Sequence, residues 1–533
     1  MVFLGEELEQ LFAMDLAMLM KPDVIAIDAG SSYSGPAYLA NASCEWQRWM
    51  IKHDSLVNKI RRTWGPIMQN NNAKGSKQLK EIRILAPTGM IGYGIERESF
   101  ENGLMHNPHA IVADAGSTDA GPHKLGAGVG IVSRMGTKSD LDMMLSAGLK
   151  MHIPVVIGSA GGSGGQPHIR WTMEIVEELA KEKGWTLRVA IINATADPEW
   201  VKDKLKKGQV CPMSGVPDLT EEEIDKATEI VAQMGHEPYL EALDQGVDLI
   251  VGGRSYDPAM AVAVCVHNGI TNLGPAYHMG KIIECGSLCT IPGGGGPILG
   301  IATDDYCIIQ SLSQKRLATP LSVAAHTLYE KTHPYILPGP GGVLNLEEST
   351  FEQLEGNAVR IKGSRFIEDD VYRIKLEGAR LEGYRTVFIA AIRDPLVIAS
   401  LDELLKTAEW YATNSAKTVG LDPTDYCIDF KVYGRNGVLK DLEPVNRTEG
   451  HEVCVVTEVM AHTQELASMI CSKLRAAMMH GPYPGRKSTA GNIALPFAPS
   501  DFEIGASYRF NVYHLAEVDD PIGFFKTTYT TVS

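Results

Sequence analysis

Asp114, Ser117, Thr118 and Asp119 stand directly behind the apolar run Ile111-Val112-Ala113 and ahead of Gly121-Pro122. A carboxylate that emerges where a buried strand ends, beside hydroxyls and glycines that bare backbone N–H groups, suits proton transfer or cation binding. A second group is the loop Gly158-Ser159-Ala160-Gly161-Gly162-Ser163-Gly164-Gly165, placed between an apolar strand and a helix. Ser159, Gly161, Gly162 and Ser163 would there aim N–H groups and the positive end of a helix dipole at a phosphate or carboxylate, although glycine runs also serve tight packing. Third, Gly252-Gly253-Arg254-Ser255-Tyr256-Asp257 offers a guanidinium and a hydroxyl to a substrate carboxylate; the alternative is an internal Arg254–Asp257 ion pair. Fourth, His278, Lys281, Glu284, Cys285 and Cys289 share one short segment. If 275–285 is helical, the first four can share a side, which suits acid/base work, a metal or plain packing. The thiols stand at CxxxC rather than CxxC, which fits no common zinc pattern. Arg486 and Lys487 sit in the long loop 480–492 beside Ser488 and Thr489, and are expected to reach over the site. His326 and His333 are single histidines of the kind that cores often satisfy.

The elements that must carry these residues read as strand, glycine loop and helix in alternation. Apolar strands are predicted at 82–86, 111–115, 153–157, 187–192 and 247–251, and amphipathic helices at 97–105, 139–149, 169–183 and 221–234. That rhythm predicts an α/β fold with a mostly parallel, doubly wound sheet, whose ligands bind at the carboxyl ends of the strands. The last third changes to strand 387–392, helix 401–419, strands 426–433 and 452–460, helix 463–479 and strand 508–518, the βαββαβ order of an α+β ferredoxin-like domain. The chain therefore divides into an N-terminal extension at 1–80, an α/β domain at 81–380 and a ferredoxin-like domain at 381–533.

The extension holds a partial repeat. Aligned without gaps, 22–54 matches 108–140 at 12 of 33 positions, against roughly two expected from composition. Tyr33 stands where the second copy has Asp119, so the second copy is taken as the working one. The linker 70–76 separates the copies. A balance of 49 basic against 65 acidic residues, net −16, repels a polyanion and excludes nucleic acid as partner. No stretch has the roughly 18 uncharged apolar residues of a membrane span, and the N-terminus carries Glu6, Glu7 and Glu9 before any apolar run, so a cytoplasmic protein without a membrane partner is expected. Nine scattered cysteines read as reduced thiols.

Asp114 to Pro122, Gly158 to Gly164, Gly252 to Asp257 and Ser322-Val323-Ala324-Ala325-His326-Thr327-Leu328-Tyr329-Glu330 together resemble the acyclic terpene utilisation family, the AtuA-like proteins, over about 81–380, and the tail resembles the ferredoxin-fold domain that accompanies them. The resemblance implies a role in catabolism of branched acyclic acids as acyl-CoA derivatives, and it assigns no catalytic residue. With no nicotinamide fingerprint, no ATP loop and no serine-nucleophile elbow, but many acid/base residues, hydration–dehydration or isomerisation of a small branched or unsaturated carboxylate or its CoA thioester is expected. Asp114, Asp119, His278 and Glu284 are the candidates for proton transfer. The alternatives are metal-assisted hydrolysis, with Asp114 and Asp119 on a divalent ion, and a non-catalytic acyl-CoA-binding subunit. The tail domain is the candidate surface for a homo-oligomer.

Overall fold

Runs such as Ile84-Leu85-Ala86 and Val155-Val156-Ile157 are too apolar for a sheet with one wet face, and the structure buries both of their faces. The computed structural model describes residues 80–330, 332–445, 450–487 and 491–533, all within one compact unit, Leu79–Ser533. The repeat copy at 22–54 and the linker after it lie outside the described residues. In chain order the first strands are β1 (Ile82–Ala86), β2 (Ala110–Asp114), β3 (Val155–Gly158), β4 (Leu187–Ile192), β5 (Val210–Pro212), β6 (Ala227–Ala232) and β7 (Leu249–Gly252). Of these, β1, β2, β3, β7 and β4 pair in parallel, in that order, as the centre of a ten-stranded sheet. Alternate residues face opposite layers: Ile84, Val112, Val156 and Ile250 enter one core, and Leu85, Ile111, Ile157 and Val251 the other.

An antiparallel meander extends that sheet beyond β1. It runs β8 (Ile298–Ala302), β9 (Tyr306–Ser311), then β13 (Ala358–Lys362) and β12 (Thr350–Leu354) at the edge. A small sheet of β10 (Ile336–Gly339), β11 (Gly342–Asn345) and β14 (Arg365–Glu368) sits apart.

The tail contains β15 (Arg373–Ile392), the helix Leu401–Thr418, β16 (Tyr426–Tyr433), β17 (Val453–Ala461), the helix Gln464–His480 and β18 (Asp501–Glu517). Their spatial order β18-β15-β17-β16 is that of an antiparallel split βαβ unit, and a third apolar core lies under its two helices. Two of these strands are far longer than the unit needs. The first part of β15 pairs with β6, β18 pairs with β5, and the last strand, β19 (Thr527–Val532), returns to pair with β4. The 380/381 boundary thus falls inside an unbroken strand.

One predicted helix is corrected. The segment 221–234 is helical only over Glu221–Lys226, capped by Thr220 and begun by three glutamates, and then becomes β6. The run Thr228-Glu229-Ile230-Val231 carries β-branched residues, and pairing with β15 outweighs the helical pattern that precedes it. None of the described helices is long and apolar enough to cross a membrane.

Candidate functional site

At the carboxyl ends of β2, β3 and β7 the chain brings together Asp114, Ser159 and the Arg254–Asp257 turn, as a parallel sheet should. Two elements from elsewhere close the group. The helix Leu273–Ile283 adds Lys281, with Glu284 at its end, and β15 adds Glu377.

Arg254 is 2% exposed, and its guanidinium is committed to its own chain. Nε donates to Glu377 Oε2 at 2.7 Å, and Nη1 donates to the Ser255 carbonyl at 2.9 Å and to Ser159 Oγ at 3.4 Å. The other oxygen of Glu377 accepts from Thr118 Oγ1 at 2.8 Å and from Lys375 Nζ at 2.6 Å. Glu377 is fully buried; that burial alone would raise its pKa, but Arg254 and Lys375 outweigh it and hold the carboxyl down at about 2. The expected Arg254–Asp257 pair is present but loose, at 3.9 Å. Asp257 lies closer to Lys281, at 3.0 Å, and Lys281 also pairs with Glu284 and, at 3.5 Å, with Glu330.

One ammonium cannot hold three carboxylates ionised, and the titration of the group divides accordingly. Burial would raise Asp257, but Lys281 and Arg254 overcome it and keep Asp257 below the ordinary aspartate range. Burial raises Glu284 well above the ordinary glutamate range, and the Asp257 charge raises it further, against the pull of Lys281. Asp114, partly exposed at the end of β2, is lifted to about 8 by burial and then by the Asp257 charge, with Arg254 opposing. The centre thus holds two carboxyls that keep their protons near neutrality beside two, Asp257 and Glu377, that do not. Environments that push neighbouring carboxyls apart in this way mark acid/base sites.

The anion cradle expected at 158–165 is filled by the chain itself. Glu229, from β6, accepts from the backbone N–H of Gln166 at the start of the helix Gln166–Lys183, and also from Thr195 Oγ1. The loop N–H groups of Ser159, Ala160, Gly162 and Gly164 donate to Gly253, Gly252, Ser159 and Ala160 carbonyls, and the Gly161 carbonyl accepts from Ile131. Ser159 Oγ accepts from the N–H of Ser255 and links two strand ends. Gly164, at φ +66°, lies so close that a Cβ there would stand 2.1 Å from the Arg254 nitrogen. The glycines therefore serve the close approach of β3 and β7. Ser163 is fully buried, and its hydroxyl has no hydrogen-bond partner among the described residues.

His278 does not join the acid/base group. Its ring nitrogens meet Ser364 Oγ at 2.6 Å and Thr327 Oγ1 at 3.1 Å, bracing the helix Leu273–Ile283 against the neighbouring helix Pro320–Thr327. Asp119 is exposed on the short turn after β2, and the Ser117 hydroxyl caps that turn by accepting its N–H. Ser255 Oγ donates to the Gly253 carbonyl and meets Tyr239 Oη at 2.6 Å. Arg486 donates to the His480 and Gly481 carbonyls and stacks near Tyr483, whose hydroxyl reaches Asp394; Lys487 beside it is exposed. That loop lies beyond the far end of β15, fifteen residues or roughly 50 Å along the strand from Glu377, so Arg486 and Lys487 do not reach the strand-end group. His333 caps a turn by accepting from Tyr335 and Ile336.

Among the described residues neither cysteine of the 285/289 pair belongs to a group with metal-like spacing. Burial and the Glu284 charge push the Cys285 thiol far up, and burial lifts Cys289 to about 12. Among the described residues the one group with metal-like spacing is Asp257, Glu284 and Glu330, whose oxygens lie within 4.8 Å of one another. The Lys281 ammonium stands among them. Sequence reasoning missed Glu377 because Arg373, Lys375 and Glu377 alternate with Ile374 and Leu376, which reads as a wet strand face.

These features define an α/β protein with a buried, carboxylate-rich, proton-holding centre at the strand ends of its parallel sheet. A family model described as acyclic terpene utilisation family protein AtuA matches residues 138–498, and the chain belongs to this family. The matched stretch includes Ser159, Arg254, Asp257, Lys281, Glu284, Glu330 and Glu377, whereas Asp114 precedes it. No curated protein and no solved structure matches the chain.

Proposed function

We propose that the chain is a catabolic enzyme of acyclic terpene utilisation that adds or removes water, or shifts a double bond, at a branched carbon of an unsaturated acid or its CoA thioester. The observation that carries this reading is the pairing of Asp114, whose carboxyl sits near 8, with Asp257, which stays ionised beside it. A carboxyl with a pKa close to ambient pH both gives and takes a proton readily. Asp114 would protonate the double bond or the leaving hydroxyl. Positive charge would then develop at the branched carbon, where the fixed Asp257 carboxylate lowers its energy. Return of a proton to Asp114 would complete either reaction.

The strand-end centre has five carboxyls, of Asp114, Asp257, Glu284, Glu330 and Glu377, against three cations, of Arg254, Lys281 and Lys375. Each of these cations is already paired with a carboxylate of the chain, so the acid or thioester end of the substrate would stay outside this centre, which takes the reacting carbon.

The test is incubation of the full-length protein in D₂O with branched unsaturated acids and their CoA thioesters, read by mass spectrometry. A product changed by one water, or an isomer carrying deuterium at carbon, is expected, and Asp114→Asn should lower the rate by about 10²- to 10⁴-fold. An Asp114→Asn protein as fast as the wild type would refute the assignment.

A further inference from the structure

Three buried side-chain atoms around Lys281 have no hydrogen-bond partner among the described residues: Glu284 Oε2, Tyr256 Oη and His326 Nε2. Tyr256 is 5% exposed, and the Glu284 side chain is also 5% exposed. A buried polar atom left without a partner costs about 1–3 kcal/mol, so three beside one ammonium call for something to bond them. Their elements differ. Tyr256 follows β7, Glu284 ends the helix Leu273–Ile283, and His326 lies in the helix Pro320–Thr327. Such convergence marks a small polar site rather than a local turn.

The charges already present say what it takes. An arriving anion would meet Asp257, Glu284 and Glu330, with Lys281 already shared among them. An arriving metal ion would meet that ammonium within 3.0 Å of Asp257 and 3.5 Å of Glu330. A neutral oxygen meets neither objection. Glu284 keeps its proton, which its hydrogen bond with Asp257 takes up, so Oε2 is left to accept; the Tyr256 hydroxyl is pushed above its usual range and stays an O–H that can donate; and burial lowers His326 to about 4, leaving a neutral imidazole.

We propose that Glu284 Oε2 and Tyr256 Oη, with Lys281 beside them, form a subsite for one neutral oxygen, held as water in the resting protein and replaced by the substrate's hydroxyl. The proposal rests on the hydration–dehydration reading, for which it supplies the place of the oxygen that is added or lost. Glu284 and Tyr256 orient that oxygen, while Asp114 moves the proton.

The first test is a crystal structure of the full chain at a resolution that shows waters. An ordered oxygen within hydrogen-bond distance of both Glu284 Oε2 and Tyr256 Oη is expected. A metal ion or an anion there, or a Tyr256 hydroxyl turned to bond Glu284 directly, overturns the proposal. The second test is calorimetric binding of a branched acid that carries a hydroxyl on the branched carbon and of the same acid without that hydroxyl. The hydroxy acid should bind at least tenfold more tightly, with Tyr256→Phe and Glu284→Ala each losing about tenfold and Glu284→Gln, which keeps an acceptor, losing less. Equal binding, or tighter binding of the acid without the hydroxyl, overturns the proposal, as does a hydroxy acid that does not bind. Deuterium entering carbon without an oxygen at this place would refute the subsite and leave proton transfer standing. An ordered oxygen in a protein that transfers no proton would do the reverse.

Discussion

Replacing Asp114 by Asn tests the charge balance of the centre without knowledge of the substrate. The carboxyl rises from 3.8 to about 8 on folding. At ~1.4 kcal/mol per unit, four units set a ceiling of roughly 6 kcal/mol between its two protonation states. Of that ceiling, the three units between pH 5 and the folded value account for roughly 4 kcal/mol. The sign follows from the direction of the shift. A carboxyl raised by folding gives its full contribution below the unfolded value of 3.8, and that contribution is lost as pH rises through about 8. Wild-type stability should therefore fall across this window relative to Asp114→Asn, which has no proton to lose. Urea unfolding at intervals from about pH 5 to pH 9 measures the difference. The advantage of the variant should grow by roughly 4 kcal/mol from pH 5 to about pH 8 and then level off. Curves that stay parallel to within about 0.3 kcal/mol would show an ordinary aspartate and refute the reasoning.

Glu377→Gln strands Arg254 and Lys375 without their shared carboxylate, and should cost about 3–5 kcal/mol in urea unfolding at neutral pH; a loss under about 1 kcal/mol would contradict the ion-pair account. The same carboxyl, held at about 2 against 4.5 unfolded, contributes stability above 4.5 that is lost as pH falls toward 2, so the variant should show a flatter acid transition. Glu229→Ala removes the carboxylate at the start of the helix Gln166–Lys183, and should cost about 1 kcal/mol in thermal unfolding while letting sulfate stabilise the protein; wild type stabilised by sulfate to the same degree would restore the cradle to an outside anion. Lys281→Ala leaves Asp257, Glu284 and Glu330 around a vacated point, so Mn²⁺ should raise the melting temperature of the variant and not that of the wild type. An equal shift in both would mean that Lys281 does not stand in for a cation.

The parallel sheet was legible because its strands are short apolar runs followed by glycine loops, and the tail because its helices and strands follow a known order. The limits of β15 were not. Its first half, Arg373 to Arg380, alternates charged or small residues with apolar ones and looks like a wet strand, whereas β6 and β18 pair on both sides of it and bury Glu377. Asp114 was legible from its place at a strand end, and Glu284 from its helical spacing with Lys281. His278 was misread because helical spacing places it near Lys281, but spacing cannot report that Ser364, eighty-six residues on, takes its ring nitrogen. The glycine loop looked like an anion site for a sound reason, and the missing fact was Glu229, hidden in a strand that read as a helix.

That error bears on the chemistry. Two features that promised to bind a substrate anion, the helix N-terminus after Gly165 and the Arg254 guanidinium, are each occupied by a carboxylate of the chain, Glu229 and Glu377. A site built to hold an acid would keep at least one of them free, since each internal carboxylate must be displaced before an outside one can bind. What remains unsatisfied is neutral: the protonated Glu284, the Tyr256 hydroxyl and the His326 imidazole, beside a titrating Asp114. The fold commits its positive charge to fixing its own carboxylates in place, which leaves no free cation for an oxygen that becomes negative, while the Asp257 carboxylate near Asp114 favours a carbon that becomes positive. That distribution is why the proposed reaction is acid-assisted chemistry at a branched carbon, where positive charge is best tolerated.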